Sequence, residues 1–323
     1  MKLISFLNKK KEEHAGILLE YHVLDLQMTM NEFLRGGLKA KSKKSLSLKE
    51  ISLLAPVPHP PSCRDAYAFR QHVEAARRNR GMEMIPQFDQ YPIFYFTNHT
   101  AIVGEGKVIV EKDHLEKLDF ELEVACVIGK KGKNIESKNA DAYIAGFTIM
   151  NDFSARQLQM EEMLLSLGPA KGKDFATALG PWLITPDELE PYKIKTSFGN
   201  KYDLSMKAIH NGKQVSQGNM KDMNWTFMKD MNWTFAEIIE RCSYGVELQP
   251  GDVIGSGTVG TGCYMELNGT WALKAKEKGE AFTPTWLKAG DTLELEVTEL
   301  GKLKNTIVKT PKDYSILAKK KIV

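Results

Sequence analysis

The stretch that most limits the fold runs from Phe120 to Ile128, where apolar side chains alternate with other residues. Alternation with a period of two is typical of a β-strand with one buried face. On such a strand Glu121 and Glu123 share one face, while Leu122 lies on the other. Two carboxylates side by side on a structured face repel each other unless a cation lies between them. The pattern therefore predicts a half-buried strand whose polar face carries two acidic groups.

A third carboxylate, Asp152, follows the apolar run that ends at Met150, where a strand is expected to give way to a helix. Three carboxylates without a nearby histidine suit a hard cation that prefers oxygen ligands, such as Mg²⁺, Ca²⁺ or Mn²⁺, and suit zinc poorly. The alternative is that Glu121 and Glu123 belong to a solvated polar face on an edge strand. The residues alone leave both interpretations open.

Composition narrows the class of protein. The chain has 323 residues, 42% of them hydrophobic, which is enough for one large domain and a small one, or for two domains. A net charge of +3 gives no field that favours nucleic acid or a membrane as a partner. No apolar run reaches membrane-spanning length, and the four cysteines lack CxxC spacing, so neither a zinc ribbon nor a disulfide framework is indicated. We therefore expect a soluble protein of the reducing cytoplasm.

A proline-rich connector, APVPHPP at 55–61, marks a boundary because it cannot form regular structure. We therefore predict a small N-terminal domain over residues 1–58 and a main domain over residues 59–323. The first of these is expected to contain an amphipathic segment preceded by short strands at Leu3–Phe6, Gly16–Leu19 and His22–Leu26.

The segment after the connector predicts a helix that begins at Asp65, a good N-cap residue, and closes at Gly81. Asp65 and His72 are seven residues apart, which would place them on one helix face about 10.5 Å apart. Asp65 would then hold a cation while His72 faces a ligand on that cation. The alternative is a structural or exposed histidine, the commoner role of a lone helical histidine. The arginines of this segment are most simply solvated surface: Arg77, Arg78 and Arg80.

A second helix is predicted to begin at Ser154, which has capping-box spacing, and to end at Gly168. Within it Arg156 suits either a carboxylate clamp for a substrate or a surface ion pair. Lys173 follows in the loop KGKDFAT and could reach the acidic cluster, although an exposed lysine is the default there. One face of the helix would carry Arg156, Gln159 and Met163.

Short strands and turns dominate after residue 193, with hairpin signals at Asn211-Gly212 and Asn268-Gly269. The segment 255–260 matches GxGxxG and follows a predicted strand. A dinucleotide-binding turn must open a helix, whereas the residues after this motif are expected to form a turn and a strand. We therefore reject a dinucleotide site.

The octapeptide MKDMNWTF occurs twice in tandem, at 220–227 and 228–235. In a helix the second copy would be rotated by about 80° from the first, so both copies cannot present the same face to the core. One copy is expected to bulge from the surface as an insertion, which costs little loop entropy, unless the repeat is an artefact of the sequence. No functional repeat is predicted.

Taken together, these residues resemble the fumarylacetoacetate hydrolase family over roughly residues 60–310. The motifs that carry the resemblance, in order, are DAYAFRQH, LDFELEV, MNDFSARQLQ, LGPAKGK, LQPGDVIGSGT and YMELNGT. The resemblance implies a β-rich α+β fold, a mixed β-sandwich roll with few helices that usually forms a homodimer. The density of strands and hairpins after residue 193 agrees with it.

The resemblance also implies roles for individual residues. A divalent cation, Mg²⁺ first and Ca²⁺ or Mn²⁺ next, would be held by four carboxylates with a lysine and a threonine beside it: Asp65, Glu121, Glu123, Asp152, Lys173 and Thr177. His72 would activate water and Glu266 would orient it, with Lys173 supplying positive charge. The expected substrate contacts are Tyr67, Arg156, Gln159 and Thr258. Met163 stands where the family hydrolase has a tyrosine that contacts substrate.

The activity implied is hydrolysis of a C–C bond in a 1,3-diketo acid of the fumarylacetoacetate or acylpyruvate type, as in aromatic amino acid catabolism. Relatives with the same cation cradle decarboxylate oxaloacetate, hydrate 2-oxo-enoates or isomerise 2-oxo acids, so these remain alternatives. His72 with Glu266 favours the hydrolase, because cation-only chemistry needs no pair that activates water. A third alternative is a non-catalytic binding protein stabilised by a metal.

Overall fold

The computed structural model describes residues 1–36, 44–223 and 233–319. Strands predominate in these ranges, so the expected β-rich α+β fold class is confirmed. The strands are β1 (Lys2–Leu7), β2 (Glu13–Leu18), β3 (His22–Asp25), β4 (Lys44–Ser47), β5 (Ser52–Leu53), β6 (Cys63–Ala66), β7 (Phe94–Thr97), β8 (Ile102–Val103), β9 (Gly106–Val110), β10 (Leu118–Asp119), β11 (Leu122–Ile128), β12 (Gly132–Lys133), β13 (Ile144–Asp152), β14 (Ser154–Ala155), β15 (Thr177–Ile184), β16 (Lys193–Thr196), β17 (Gly199–Tyr202), β18 (Ser205–His210), β19 (Lys213–Asn219), β20 (Glu247–Leu248), β21 (Val253–Gly255), β22 (Thr292–Val297) and β23 (Gly301–Lys309).

The helices are few and mostly short. None of those in the described ranges is long and apolar enough to cross a membrane. They are α1 (Met30–Arg35), α2 (Arg70–Arg78), α3 (Ser137–Ala140), α4 (Arg156–Leu164), α5 (Phe235–Ser243) and α6 (Tyr264–Lys278).

Twelve strands form one large, mostly antiparallel sheet. Ten of them follow the order β4-β3-β2-β1-β15-β13-β11-β21-β6-β7, while β5 pairs with β1 and β8 pairs with β15. The pairs β21–β6 and β15–β8 are parallel. Strand β7 lies at one end of this order, and its Phe96 is 64% exposed. The aromatic run YPIFYF at 91–96 is typical of a core strand, but the strand that it contains, β7, is an edge strand.

A five-stranded sheet, in the order β19-β18-β22-β23-β9, packs on one face of the large sheet. Phe147 and Ile149 of β13 share one apolar cluster with Leu293 and Leu295 of β22. The predicted hairpin at Asn211-Gly212 is confirmed, because these residues join β18 to β19. Their φ angles of 48° and 81° are those of the type I′ turn that matches strand twist.

Strand β11 lies in the middle of the large sheet and is buried along its whole length. Its residues Leu122 and Val124 belong to the cluster between the two sheets, whereas Ala125 and Val127 belong to a second cluster on the opposite face. The prediction of a half-buried strand is therefore wrong, and so is the alternative of a solvated edge. Helix α1 and the N-terminal strands cover the face of β11 that the alternating pattern predicted to be exposed.

The N-terminal segment contributes directly to the large sheet. Strand β1 pairs with β15 through Lys2 and Leu3, and it pairs with β2 along its full length. Leu3 and Phe33 share the second cluster with Val127 of the central strand. The division at residue 58 stays a prediction, and the connector between the two parts is itself packed, with Val57 buried.

One predicted hairpin lies within a helix, and the tandem octapeptides lie mostly outside the described residues. Asn268-Gly269 forms no hairpin, because both residues lie inside α6, whose Asn268 binds the backbone of Thr285 through its side chain. Most of the tandem octapeptides, residues 224–232, lies outside the described residues. Met220 and Met223 before that gap are buried, and so is Trp233 after it.

Candidate active site

Four carboxylates meet where neighbouring strands of the large sheet bring them together. Asp65 lies in β6, Glu123 in β11 and Asp152 at the end of β13, while Glu121 precedes β11 directly. All four are buried. Carboxylate oxygens of Asp65, Glu121 and Glu123 lie within 4.8 Å of one another. These strands therefore concentrate negative charge in the protein interior.

Asp65 reaches this cluster from a strand and not from a helix. It lies in β6, and α2 begins only at Arg70 with Phe69 as its N-cap. The predictions that Asp65 caps a helix and shares a face of it with His72 are therefore wrong. Residues 67–69 separate β6 from α2, so the two side chains approach one cavity from different elements.

The glycines of the GxGxxG segment serve Asp65. Gly257, at φ +80°, donates its backbone N–H to Asp65 Oδ1 at 3.1 Å. A Cβ on Gly255 would lie 2.4 Å from the same oxygen, so a larger residue there would displace the Asp65 carboxylate. The expectation that a strand follows this segment is wrong, because α6 begins at Tyr264. The dinucleotide reading is still disfavoured, since these glycines hold a carboxylate of the protein.

Two buried cations face the acidic cluster. The Nζ of Lys173 lies 2.5 Å from Glu121 Oε2 and 2.9 Å from Asp152 Oδ2. Lys173 is 3% exposed, so the default of a solvent-exposed lysine is wrong. Arg156 binds Asp119 through Nε and Glu121 through Nη2, both at 2.8 Å. Arg156 is thus part of a buried ion-pair network and not a surface ion pair.

The buried charges of this cluster do not balance, because five buried carboxyl groups, including Asp119, lie beside only two buried cations, Lys173 and Arg156. Burial, with the nearby Asp152 and Glu121, raises the pKa of Asp65 to about 8. Burial and the charge of Asp65 hold the pKa of Glu123 well above its usual range. Burial opposes ionisation of Glu121 as well, but Lys173 and Arg156 outweigh it and lower its pKa to about 2.

The donor set fits a divalent cation. Glu123 Oε2 and Asp152 Oδ1 are buried and have no hydrogen-bond partner in the described part of the chain. Unpaired buried carboxylate oxygens are costly unless a cation satisfies them. The set contains oxygen donors only, which suits Mg²⁺, Ca²⁺ or Mn²⁺. Thr177 is buried directly opposite Asp152, its register partner on β15.

The pKa of Asp65 predicts how stability depends on pH when no cation is bound. Its folded pKa of about 8 lies above the unfolded value of about 4. The contribution of Asp65 to the free energy of unfolding is therefore fully present below about pH 4. It is lost as the pH rises towards 8, by up to about 1.4 kcal/mol per pH unit. Glu121 titrates below this window. We expect the urea midpoint of EDTA-treated protein to fall from pH 5 to pH 8.

Saturating Mg²⁺ is the control for this measurement. The cation competes with the proton on Asp65, so its apparent affinity should rise over the same pH range and the loss of stability should disappear. A midpoint of the EDTA-treated protein that rises with pH would contradict the charge balance described above.

A histidine–carboxylate pair lies beside this cluster. His72, in the first turn of α2, places Nδ1 2.6 Å from Glu266 Oε2, in the first turn of α6. The backbone N–H of Thr261 donates to Glu266 Oε1 at 2.9 Å, so both oxygens of this carboxylate are held. A proton on Nδ1 leaves Nε2 as the basic nitrogen. The ring of Tyr67 meets the ring of His72 edge to face.

One cavity of about 520 Å³ brings most of the predicted site residues together. Its walls include Asp65, Tyr67, His72, Glu121, Arg156, Gln159, Lys173, Thr258 and Glu266. Glu123, Asp152 and Thr177 are not part of the wall, because they are buried beneath it. Thr258 connects the two layers, since its hydroxyl donates to Glu123 Oε1 at 3.4 Å.

Helix α4 brings Arg156 and Gln159 to the cavity. It begins at Arg156 without a side-chain cap, so the predicted capping box at Ser154 is wrong. The hydroxyl of Ser154 donates to the carbonyl of Asp152 instead. Arg156 Nη1 donates to Gln159 Oε1 at 2.9 Å, so both side chains are oriented before any substrate binds.

Sequence reasoning missed two contributors, Asp119 and Tyr95. Asp119 accepts from Arg156 and from the backbone N–H of Tyr264 and Met265, so it fixes the start of α6. The two-residue spacing of Asp119, Glu121 and Glu123 was a signal that could have indicated it. Tyr95, whose hydroxyl donates to Asp152, is hidden in an aromatic run that carries no such signal.

A model of the fumarylacetoacetate (FAA) hydrolase C-terminal domain matches residues 62–308. Fumarylacetoacetase from Arabidopsis thaliana is 30% identical over 248 residues, which are 64% of this chain and 56% of that enzyme. Human oxaloacetate tautomerase FAHD2A, mitochondrial, is 30% identical over 313 residues, which are 91% of this chain and 85% of that protein.

Among solved structures, fumarylacetoacetate hydrolase from Exiguobacterium antarcticum superposes with a TM-score of 0.71 at 23% identity, covering 96% of this chain and 100% of that one. This likeness concerns the fold. The matched family model spans the strands that carry the acidic cluster and both helices of the His72–Glu266 pair. The chain therefore belongs to the fumarylacetoacetate hydrolase family.

Proposed function

We propose that this chain hydrolyses a 1,3-diketo acid of the acylpyruvate type, a 2,4-dioxo acid, with a divalent cation, Mg²⁺ first, as cofactor. The bond that breaks joins the distal carbonyl carbon to the carbon that separates the two keto groups. The observation that carries the proposal is the His72–Glu266 pair in the wall of the cavity that also contains Asp65 and Glu121. A base beside a cation site provides both functions that the reaction needs: activation of water and stabilisation of negative charge on oxygen.

The cation would be held by Asp65, Glu121, Glu123 and Asp152, the carboxylates whose charge is otherwise unbalanced. When bound, it supplies Lewis-acid polarisation of the substrate's carbonyl oxygens. Lys173 stays an ammonium ion, because Asp152 and Glu121 raise its pKa despite burial. Its positive charge therefore adds to the field on the same oxygens. Arg156 orients Glu121 through a hydrogen bond from its Nη2 to Glu121 Oε1.

His72 moves the proton. Glu266 fixes the ring through Nδ1, so Nε2 takes a proton from water while the hydroxyl oxygen bonds to the distal carbonyl carbon. The C–C bond then breaks, and its electron pair passes to the 2-oxo acid fragment, which takes up the proton from His72. The products are a carboxylic acid and a shorter 2-oxo acid, with one water consumed.

A second candidate is tautomerisation of a 2-oxo acid such as oxaloacetate. It is favoured by the alignment, because the human tautomerase matches 91% of this chain and Arabidopsis fumarylacetoacetase matches 64%. The same pair would serve, since His72 could move a proton between the carbon next to the keto group and the enol oxygen. Water is then not a reactant, and no bond between carbons breaks.

The deciding experiment is a Mg²⁺- or Mn²⁺-supplemented assay with fumarylacetoacetate, acetylpyruvate and oxaloacetate, in which products are identified. Acid fragments that disappear in His72→Ala would support hydrolysis. Interconversion of enol and keto oxaloacetate without fragments would support the tautomerase. Carbon dioxide from oxaloacetate at the wild-type rate in His72→Ala would leave His72 without a catalytic role. Stoichiometric cation binding without turnover of any oxo acid would favour a binding protein.

We further propose that the chain acts as a homodimer in the cytoplasm, with a small oxo acid as its ligand and neither nucleic acid nor a membrane as partner. The resemblance of the sequence supports the dimer, and the composition supports the rest. Sedimentation of the purified protein at micromolar concentration tests the dimer, which a single species of 36.4 kDa would exclude.

A further inference from the structure

We propose that this enzyme selects substrates whose distal end is apolar, and that Met160 and Met163 of α4 are the residues that determine this choice. The proposal rests on the function proposed above and names its substrate class: 2,4-dioxo acids whose acyl group is an alkyl or aryl chain. One part of the cavity wall would contact the anionic groups of the substrate, and another part would contact its hydrocarbon tail.

Part of the cavity wall is polar and held by hydrogen bonds within the protein. Asp65, Glu121, Lys173 and the His72–Glu266 pair are tied to one another or to neighbours by hydrogen bonds of 2.5 to 3.1 Å. These groups recognise a carboxylate with adjacent keto oxygens, together with a cation. These residues would therefore bind the reacting end of the substrate.

Another part of the cavity wall is apolar. Met160, Met163, Ile93, Phe94 and Pro169 belong to its wall, from α4, the loop after it and the edge strand β7 with the residue before it. Their side chains offer no hydrogen bond that would hold a second carboxylate or a hydroxyl group. An apolar wall stabilises a bound apolar ligand, because binding removes hydrocarbon from water. The gain in affinity is roughly fourfold per methylene.

The two methionines suit a variable tail. Met163 is 54% exposed and Met160 51% exposed, so a large part of each side chain has no protein neighbour to cover it. Methionine is unbranched and polarisable, which lets it adapt to ligands of different shape. The apolar surface continues beyond the cavity, because Leu164, Leu165 and Leu167 are more than 80% exposed. A tail longer than the cavity would therefore still meet hydrocarbon.

One cation, Arg80, also belongs to the wall and offers the competing explanation. Its Nε donates to the carbonyl of Ala76 in α2 at 3.0 Å, which holds part of the guanidinium group at the helix end. If Arg80 bound a distal carboxylate, dicarboxylic substrates would be preferred. The predominance of apolar side chains over this single exposed arginine favours the hydrocarbon tail.

The test compares 2,4-dioxo acids that bear methyl, butyl and hexyl tails, with fumarylacetoacetate and oxaloacetate as dicarboxylates, in Mg²⁺ buffer. We expect kcat/KM to rise about fourfold per methylene along the first three or four carbons. In the double variant Met160→Gln, Met163→Gln, the ratio of hexyl to methyl substrate should fall at least tenfold. Met82→Gln is the matched control, since Met82 is a partly exposed methionine outside the cavity wall, and it should keep the wild-type ratio.

A flat dependence on tail length would overturn the proposal, and so would a preference for dicarboxylates that is lost in Arg80→Gln. Binding of the same acids to His72→Ala by calorimetry gives the tail dependence without turnover. If no oxo acid is turned over by the wild type, the proposed function fails, while the calorimetric series still supports or overturns the apolar subsite. The two failures are therefore distinguishable.

Discussion

Replacing His72 by alanine is expected to lower the turnover of a 2,4-dioxo acid by about 10²–10⁴-fold, the usual contribution of a general base. Glu266 binds Nδ1 of this histidine at 2.6 Å, and both lie in the first turns of packed helices, so the base is positioned before substrate arrives. Cation binding should survive, because the four carboxylates lie on strands of the large sheet or beside them. The measurement is kcat/KM alongside calorimetric titration with Mg²⁺.

A buried side chain also contributes to packing, so this prediction needs controls. His72→Gln keeps more of the volume and leaves a donor for Glu266, and it should lose turnover as severely while unfolding closer to wild type. His22→Ala removes an exposed histidine of β3 and should change neither property. Glu266→Gln should keep partial activity with an altered pH profile of kcat/KM, because it acts only through His72. Wild-type turnover in His72→Gln would exclude the assigned role.

Replacing Asp65 by asparagine is expected to have opposite effects on stability and on activity. The variant should lose measurable turnover and the stabilisation by Mg²⁺, because one of the cation's carboxylate ligands becomes a weaker neutral donor. Without cation at pH 8 it should be more stable than wild type, since burial and the charges of Asp152 and Glu121 no longer oppose ionisation at this position. Gly257 and its N–H bond to residue 65 can persist with the amide oxygen.

Urea unfolding of both proteins at pH 5 and pH 8, with EDTA and with Mg²⁺, tests this pair of effects. The difference in favour of the variant should appear only with EDTA, and it should be larger at pH 8 than at pH 5. Asp203→Asn is the matched control, because this exposed aspartate lies between β17 and β18, pairs with Lys221 and belongs neither to the cavity wall nor to the acidic cluster. A variant that is less stable than wild type under all four conditions would mean that Asp65 supports the fold and not a cation.

The local patterns of the sequence predicted strands better than their surroundings. Alternation at 120–128 identified β11, but burial of both its faces depends on α1 and on N-terminal strands that are distant in the sequence. Asn211-Gly212 predicted a turn because its φ > 0 geometry is local, whereas Asn268-Gly269 was absorbed into α6. Tertiary contacts of Asn268 with Thr285 outweigh the turn preference there.

The candidate site was likewise predicted only in part, because some of its residues are placed by contacts distant in the sequence. Asp65, Glu121, Glu123 and Asp152 do gather, but from the sequence alone Asp65 was expected on the wrong element, since nothing local reports that 63–66 joins the sheet beside β21. Tyr95 could not be anticipated, because its role depends on pairing between β6 and the edge strand β7. The resemblance of the motifs supplied the roles of Lys173 and Glu266, which spacing did not indicate.

The pairing of β1 with β15 has a practical consequence for anyone who trims this protein. Removing residues 1–58 would uncover the outer side of β15, whose Leu179 and Leu183 lie in the cluster shared with Leu3. An unpaired strand with apolar neighbours recruits strands from other molecules, so the shortened protein should precipitate or form fibres. The same strand begins at Thr177, opposite Asp152. We therefore expect residues 59–323, expressed alone, to be too insoluble for an activity assay.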